Sequence, residues 1–123
     1  MADYKRFDVT HEDDVTILWL VDAELSDLVL QDAVHEELMA LVEADKPSRL
    51  LIDFGAVQYC TTGIIGSLLT TRKRVVAGGG EFKLCGLTKH VHDAFKALNL
   101  ENTVFDVYAT RDAALAAFGA RSA

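Results

Sequence analysis

The chain has 123 residues, half of them apolar, with a formal net charge of -7 and a pI near 4.9. This length suffices for one globular core, so we expect a single domain over residues 1–123. The acidic charge argues against a protein that neutralises nucleic-acid phosphates or lies on an anionic membrane. No apolar run reaches the roughly 18 residues of a membrane span, and the polar N-terminus does not resemble a signal peptide, so we expect a cytoplasmic protein.

The first third of the sequence predicts a hairpin followed by a helix. Residues 5–9 and 15–20 are strand-like, and the acidic sequence THEDD supplies the turn between them. Residues 26–42 predict an amphipathic helix, with Ser26 or Asp27 available as its N-cap. The apolar positions that recur there at helical spacing are Leu30, Val34, Leu38 and Leu41.

The rest of the sequence alternates strands and helices. The run RLLIDF has no polar interruption before its Asp, as is typical of a central parallel strand covered on both faces. The segments that follow are a helix over residues 63–76, the stop Gly78-Gly79-Gly80, strand EFKLCGL, a helix over residues 88–98 capped by Thr88, strand TVFDVY and helix RDAALAAF. This order predicts an α/β fold with a mixed, mostly parallel sheet, an N-terminal hairpin and about four helices.

The residue types that usually carry catalysis do not form a recognisable set. The two cysteines, Cys60 and Cys85, lie in or beside apolar runs, which favours reduced core thiols. Cys60 precedes a helix, whose dipole could activate a thiol, but its apolar neighbours favour a buried role. No nucleophile, base and orienting acid can be assembled from local spacing, so we expect neither enzymatic activity nor a metal or cofactor.

Two threonines between a strand and a helix are the most informative feature. Thr61 or Thr62 can cap the helix that starts near Gly63, because a hydroxyl there accepts a hydrogen bond from a free amide. The same position suits a phosphate, since the amides and the helix dipole stabilise added negative charge. Asp53 ends the preceding strand, where an acid either serves function or bonds loop amides.

From residue 51 onward, the sequence LIDFGAVQYCTTGIIGSLL resembles a STAS domain, the fold of bacterial anti-sigma factor antagonists. In that family, a hydrophobic strand ending in Asp leads through a loop to Asp-Ser-Ser-Gly-Leu-Gly, which opens a helix. A Gly-Gly turn, a strand, a helix, a final strand and a final helix follow, as they do in this chain. The first third of the sequence shares only the order of its elements with the family.

The resemblance implies a phosphorylation site. Without gaps from Asp53, the phosphorylated Ser of the motif falls on Thr62, the Asp before it on Thr61 and the second Ser on Gly63. Ile64 then stands at the first Gly of the motif. A one-residue shift, which requires an insertion in the helix, would make Thr61 the acceptor instead.

The resemblance also implies a partner switch. The unphosphorylated protein would bind an anti-sigma factor that is a serine/threonine kinase of the histidine-kinase-like ATPase type, and phosphorylation would release it. A phosphatase would reverse the step, and ATP and magnesium would belong to the kinase. The alternative is a STAS scaffold or ligand-sensing module whose threonines only cap the helix. The implied partner-binding residues are Glu24, Asp27, Asp53, Thr61, Thr62, Gly63 and Ile64.

Overall fold

The computed structural model describes residues 4–100 and 103–118. Their helices and strands, in chain order, are β1 (Phe7–Glu12), β2 (Val15–Leu20), β3 (Glu24–Leu25), α1 (Leu28–Asp45), β4 (Arg49–Asp53), β5 (Tyr59–Cys60), α2 (Thr62–Ala77), β6 (Glu81–Cys85), α3 (Lys89–Ala97), β7 (Asp106–Tyr108) and α4 (Arg111–Phe118). Within the two described ranges, no helix combines the length and the apolar composition that a membrane crossing requires.

Five strands form the main sheet in the order β1-β2-β4-β6-β7. β1 and β2 are antiparallel, whereas the β2-β4, β4-β6 and β6-β7 pairs are parallel. The carboxyl ends of the parallel strands therefore share one edge, where loops of α/β folds carry functional groups. The predicted α/β fold, with its N-terminal hairpin, mostly parallel sheet and four helices, is confirmed.

Most helices and strands begin or end a few residues away from their predicted boundaries. β1 continues to Glu12, because Glu12 pairs with Val15 across a tight turn in which Asp13 has a φ of 55°. α1 continues to Asp45 and ends at Lys46 in the left-handed conformation. The sequence prediction also missed β3 and β5, which form a separate two-stranded parallel sheet.

The helices cover the two faces of the main sheet unequally. The larger core contains residues of α1, α2 and α3, and the smaller core is closed by α4 through Ala114 and Phe118. All five residues of β4 are buried because neighbouring positions face opposite cores: Leu50 and Ile52 face the larger one, and Leu51 the smaller one. This two-sided burial explains the uninterrupted apolar run.

The glycine triplet ends α2, as the sequence predicts. The Gly78 amide donates to carbonyl groups of the last turn of α2. Gly79 has a φ of +86°, a conformation that glycine adopts without steric cost. A Cβ atom at Gly80 would lie 2.8 Å from the carbonyl oxygen of Ser48, so the chain passes too close there for a side chain.

Candidate functional site

The two threonines lie at the carboxyl edge of the sheet, where the β4–α2 segment (residues 54–61) meets α2. β5, within this segment, pairs with β3, so that Tyr59 stands beside Glu24. Backbone bonds add to this pairing: the Gln58 amide donates to Ala23 O at 2.7 Å, and the Thr61 amide donates to Leu25 O at 3.2 Å. The structure therefore brings the loop before α1 against the threonines.

Thr61 is the N-cap of α2. Its φ and ψ of -88° and 167° are extended, and its Oγ1 accepts a hydrogen bond from the Ile64 amide at 3.4 Å. The same hydroxyl donates to Oε1 of Gln31 in α1 at 2.9 Å. The hydroxyl of Thr61 is thus engaged on both sides, and it joins the first turns of the two helices.

Thr62 is the first residue of α2, and its side chain is exposed, whereas that of Thr61 is half-buried. The first amides of a helix have no partner within the helix and point outward with the positive end of the dipole. A phosphate on Thr62 would therefore lie in a favourable field without displacing a cap. Of the two threonines, only Thr61 caps the helix.

Gly63 and Ile64 have structural roles that differ from each other. A Cβ atom at Gly63 would overlap the side-chain amide of Gln31, so Gln31 occupies the space that a larger residue at 63 would need. Ile64 is 0 % exposed and belongs to the larger core. Its side chain presents no surface to a partner in this conformation.

Asp53 is 6 % exposed, and both of its carboxylate oxygens are bonded within the fold. Oδ1 accepts from the Gly55 amide at 2.8 Å, and Oδ2 accepts from Arg111 Nε at 3.0 Å. The Arg111 guanidinium also lies 5.8 Å from the centre of the Trp19 ring. Asp53 therefore holds the β4–α2 segment and the start of α4 together.

Two of the partner-binding residues that the resemblance implies, Glu24 and Asp27, lie shortly before α1. Glu24 and Asp27 are both exposed, and the Asp27 carboxylate caps α1 by accepting from the Leu30 amide at 2.8 Å.

Thr88, before α3, has the backbone position of an N-cap, but its hydroxyl donates instead to Val57 O at 2.7 Å. The loop before α3 is thus also tied to the β4–α2 segment.

Sequence reasoning missed the α1 residues that face α2. Gln31 bonds Thr61, and one turn later Nδ1 of His35 lies 2.8 Å from Oγ of buried Ser67. The available signal was their spacing, because Gln31, His35 and the buried Leu38 follow one another at intervals of four and three residues. These positions share one face of α1.

The two thiols are free and buried. Burial raises the pKa of Cys60 to about 11, and burial with the nearby Asp53 charge raises that of Cys85 to about 12. A thiol with such a pKa is almost entirely protonated near neutral pH and is a poor nucleophile. Among the described residues, no group of three or more metal-binding side chains occurs.

Replacing Thr61 by valine is expected to lower the free energy of unfolding by about 1 kcal/mol, because the helix loses its cap and Gln31 loses a donor. Urea denaturation followed by circular dichroism measures the change. Thr61→Ser, which keeps the hydroxyl, is the matched control and should stay within about 0.5 kcal/mol of the wild type. Equal losses in the two variants would show that the hydroxyl is not the stabilising group.

Comparison with known proteins places this geometry in a family. The protein-family model described as STAS domain matches residues 6–114. An anti-sigma factor antagonist from Mycobacterium paratuberculosis has a similar solved structure, with 27 % identity and a TM-score of 0.78, covering 90 % of this chain and 91 % of that one. A search of curated proteins gives no match.

Two further structures share the fold at lower identity. An anti-sigma-factor antagonist (STAS) domain protein from Planctomyces limnophilus is 24 % identical, with a TM-score of 0.79 and coverage of 90 % of this chain and 95 % of that one. The Bacillus cell fate determinant SpoIIAA, solved in its phosphorylated form, is 14 % identical, with a TM-score of 0.67 and coverage of 91 % and 98 %. Since the family model spans most of the sequence, this chain belongs to the STAS domain family.

Proposed function

We propose that this chain is an anti-sigma factor antagonist whose binding to an anti-sigma factor is controlled by phosphorylation of Thr62. The proposal draws on the 27 % identical antagonist from Mycobacterium paratuberculosis and on the fold shared with SpoIIAA, which was solved in a phosphorylated form. The main observation behind it is that the two neighbouring threonines differ in their surroundings. Thr61 caps α2, whereas Thr62 is exposed at the start of the same helix.

The partner in this proposal is an anti-sigma factor that is also a kinase of the histidine-kinase-like ATPase type. The Thr62 hydroxyl attacks the γ-phosphorus of ATP, an oxygen–phosphorus bond forms, the hydroxyl proton is lost and ADP leaves. The kinase supplies ATP and its magnesium, so this chain contributes only the acceptor. Hydrolysis of the phosphothreonine by a phosphatase returns the protein to its binding form.

Phosphorylation would change binding more than folding. A phosphate adds about -1.5 to -2 charges, which the amides and the dipole at the start of α2 stabilise within the protein. A partner surface that fits a neutral hydroxyl has no counter-ion for this charge. Binding would therefore remove water from the phosphate without replacing it by an opposite charge, which costs binding free energy. The partner then dissociates while the domain stays folded.

The test is incubation of the chain with such a kinase and radiolabelled ATP, followed by peptide mapping. The wild type and Thr61→Val should be labelled on the peptide that contains residues 61 and 62, whereas Thr62→Ala should not be labelled. Thr62→Asp should weaken binding to the anti-sigma factor by at least about tenfold, as measured by titration calorimetry. Undiminished labelling of Thr62→Ala in that peptide would reassign the acceptor to Thr61.

A cleft favours a second candidate function, that of a ligand-sensing or scaffold module without phosphorylation. It has a volume of about 430 Å³, within the range of small-molecule sites, and lies where α1 and α2 end. Its lining includes Val42, Lys46, Pro47, Arg74, Val75 and Gly78. This candidate predicts partner binding that is indifferent to ATP and to Thr62→Asp, so the same titrations separate the two.

A further inference from the structure

The cleft at the ends of α1 and α2 is formed by two loops that are fixed to each other. Lys46 is the C-cap of α1 and Gly78 that of α2, and the loops that follow lead into β4 and β6. The Glu81 amide donates to Ser48 O at 2.8 Å, which joins the loops where these paired strands begin. The walls of the cleft are therefore held in place by the sheet as well as by the helices.

Part of the lining of the cleft is apolar. Val42 and Val75 belong to the larger core and are 8 % and 4 % exposed, and half-buried Pro47 lies beside them in the lining. Gly78 lines the cleft without a side chain, so this position leaves space open. A volume of about 430 Å³ with such a lining can accommodate the apolar body of a small organic molecule.

Three hydrogen-bond donors of the lining have no side-chain partner among the described residues. They are the ammonium group of Lys46, the guanidinium group of Arg74 and the hydroxyl of Ser48. All three residues are exposed, so water solvates these groups in the free protein. Ammonium and guanidinium groups only donate, so the polar part of a ligand must offer acceptor oxygens.

The charges of the lining favour an anion with a single charge. Lys46 and Arg74 contribute two positive charges and Glu43 one negative charge, which leaves the lining positive in a chain whose net charge is -7. The carboxyl ends of α1 and α2 add negative partial charge, which disfavours a doubly charged phosphate. A carboxylate carries one charge and fits the planar guanidinium group.

We propose that the cleft binds a small monocarboxylate with an apolar body. The carboxylate lies between Lys46 and Arg74, and the apolar body covers Val42 and Val75. This inference rests on the second candidate function, to which it adds the class of ligand. It does not depend on phosphorylation of Thr62, because α2 has 16 residues and separates Thr62 from the cleft by about 24 Å.

The test is an NMR titration of the chain with sodium octanoate, followed through the methyl signals of Val42 and Val75. Octanoate should bind with a dissociation constant of about 1–6 mM, as is typical for a ligand of about ten non-hydrogen atoms. Acetate lacks the apolar body and octylamine carries the opposite charge, so both should bind at least about fivefold more weakly. Octylamine binding as tight as that of octanoate would overturn the assignment of an anion site, and equally tight acetate binding that of an apolar one.

A charge-matched pair of variants locates the carboxylate. Lys46→Asn with Arg74→Gln removes both cations of the cleft, and asparagine is chosen because residue 46 has a φ of 44°, which asparagine tolerates. This variant should bind octanoate at least about fivefold more weakly than the wild type. Arg72→Gln with Lys73→Gln removes the same charge from α2 outside the lining, and its affinity should stay within about twofold of the wild type.

Circular dichroism checks that both variants are folded. Equal weakening in the two variants would show that only the overall charge matters, which overturns the site. The failures of this inference and of the proposed function are also distinguishable. If octanoate leaves the signals of Val42 and Val75 unchanged, the carboxylate site is overturned, whereas labelling of Thr62 by the kinase is unaffected. If the kinase labels neither threonine while octanoate binds in the cleft, the proposed function fails and the ligand site stands.

Discussion

Replacing Phe95 by alanine is expected to lower the free energy of unfolding by about 3–5 kcal/mol, the largest effect of a single substitution proposed for this chain. Phe95 is 0 % exposed in α3. Its ring meets Phe54 edge-on at 6.2 Å between centroids and Phe105 at 5.5 Å. Alanine removes both contacts and leaves a cavity that rigid neighbours cannot fill, so the loss exceeds that of simple transfer to water.

Urea denaturation measures this change through the transition midpoint at a constant slope. Leu98→Ala is the control, because Leu98 follows α3 and is 45 % exposed; we expect a loss below about 1 kcal/mol. The loss in free energy of unfolding for Phe95→Leu should lie between those of Phe95→Ala and Leu98→Ala, since leucine keeps most of the side-chain volume. A loss below about 1 kcal/mol for Phe95→Ala would mean that α3 does not pack on the core as described.

Replacing Asp53 by alanine is expected to cost about 2–3 kcal/mol. The Asp53 side chain, taken alone, is 9 % exposed and pairs with Arg111, whose side chain is 35 % exposed, so the arginine recovers part of its hydration when the partner is lost. The Gly55 amide loses its acceptor as well. The expected loss in free energy of unfolding is therefore smaller than the loss on breaking a fully buried ion pair.

A double-mutant cycle isolates the ion pair. Asp53→Asn can still accept from the Gly55 amide, and with Arg111→Met it yields the coupling energy, which we expect to be about 1–2 kcal/mol in urea denaturation. Measuring both stability and partner binding of the variants separates the two roles considered for Asp53, which are a functional one and a structural one. If Asp53→Asn weakens partner binding while the protein is fully folded, Asp53 contributes to the binding surface as well as to the fold.

Periodicity and turn chemistry made most of the fold predictable. The four helices and the strand RLLIDF follow from the spacing of apolar residues, and the glycine triplet ends α2 where it should. β3 and β5 could not be found this way, because two residues are too short for any periodicity. Their pairing depends on the order of the strands in the sheet, which brings distant loops to one edge.

The candidate site was predictable only in part, for the same reason. The helix start and the two threonines are local features, and their roles could be listed from the sequence, but the choice of Thr61 as cap depends on backbone angles. The contact of Gln31 with Thr61 and the pair of Asp53 with Arg111 join residues 30 and 58 positions apart. No local pattern encodes such distances. The burial of Ile64, in contrast, was readable from its helical spacing to Leu68.

The division of the core into two layers makes it possible to follow the unfolding of each layer separately. Each layer holds one of the two cysteines: Cys60 lies in the layer under α1 and α2, and Cys85 in the layer closed by α4. Because both thiols are shielded in the folded protein, each is modified only after its own layer opens. The modification rates of the two thiols therefore report on the two layers separately. The difference between these rates would show whether the eight-residue helix α4 detaches before the whole domain unfolds.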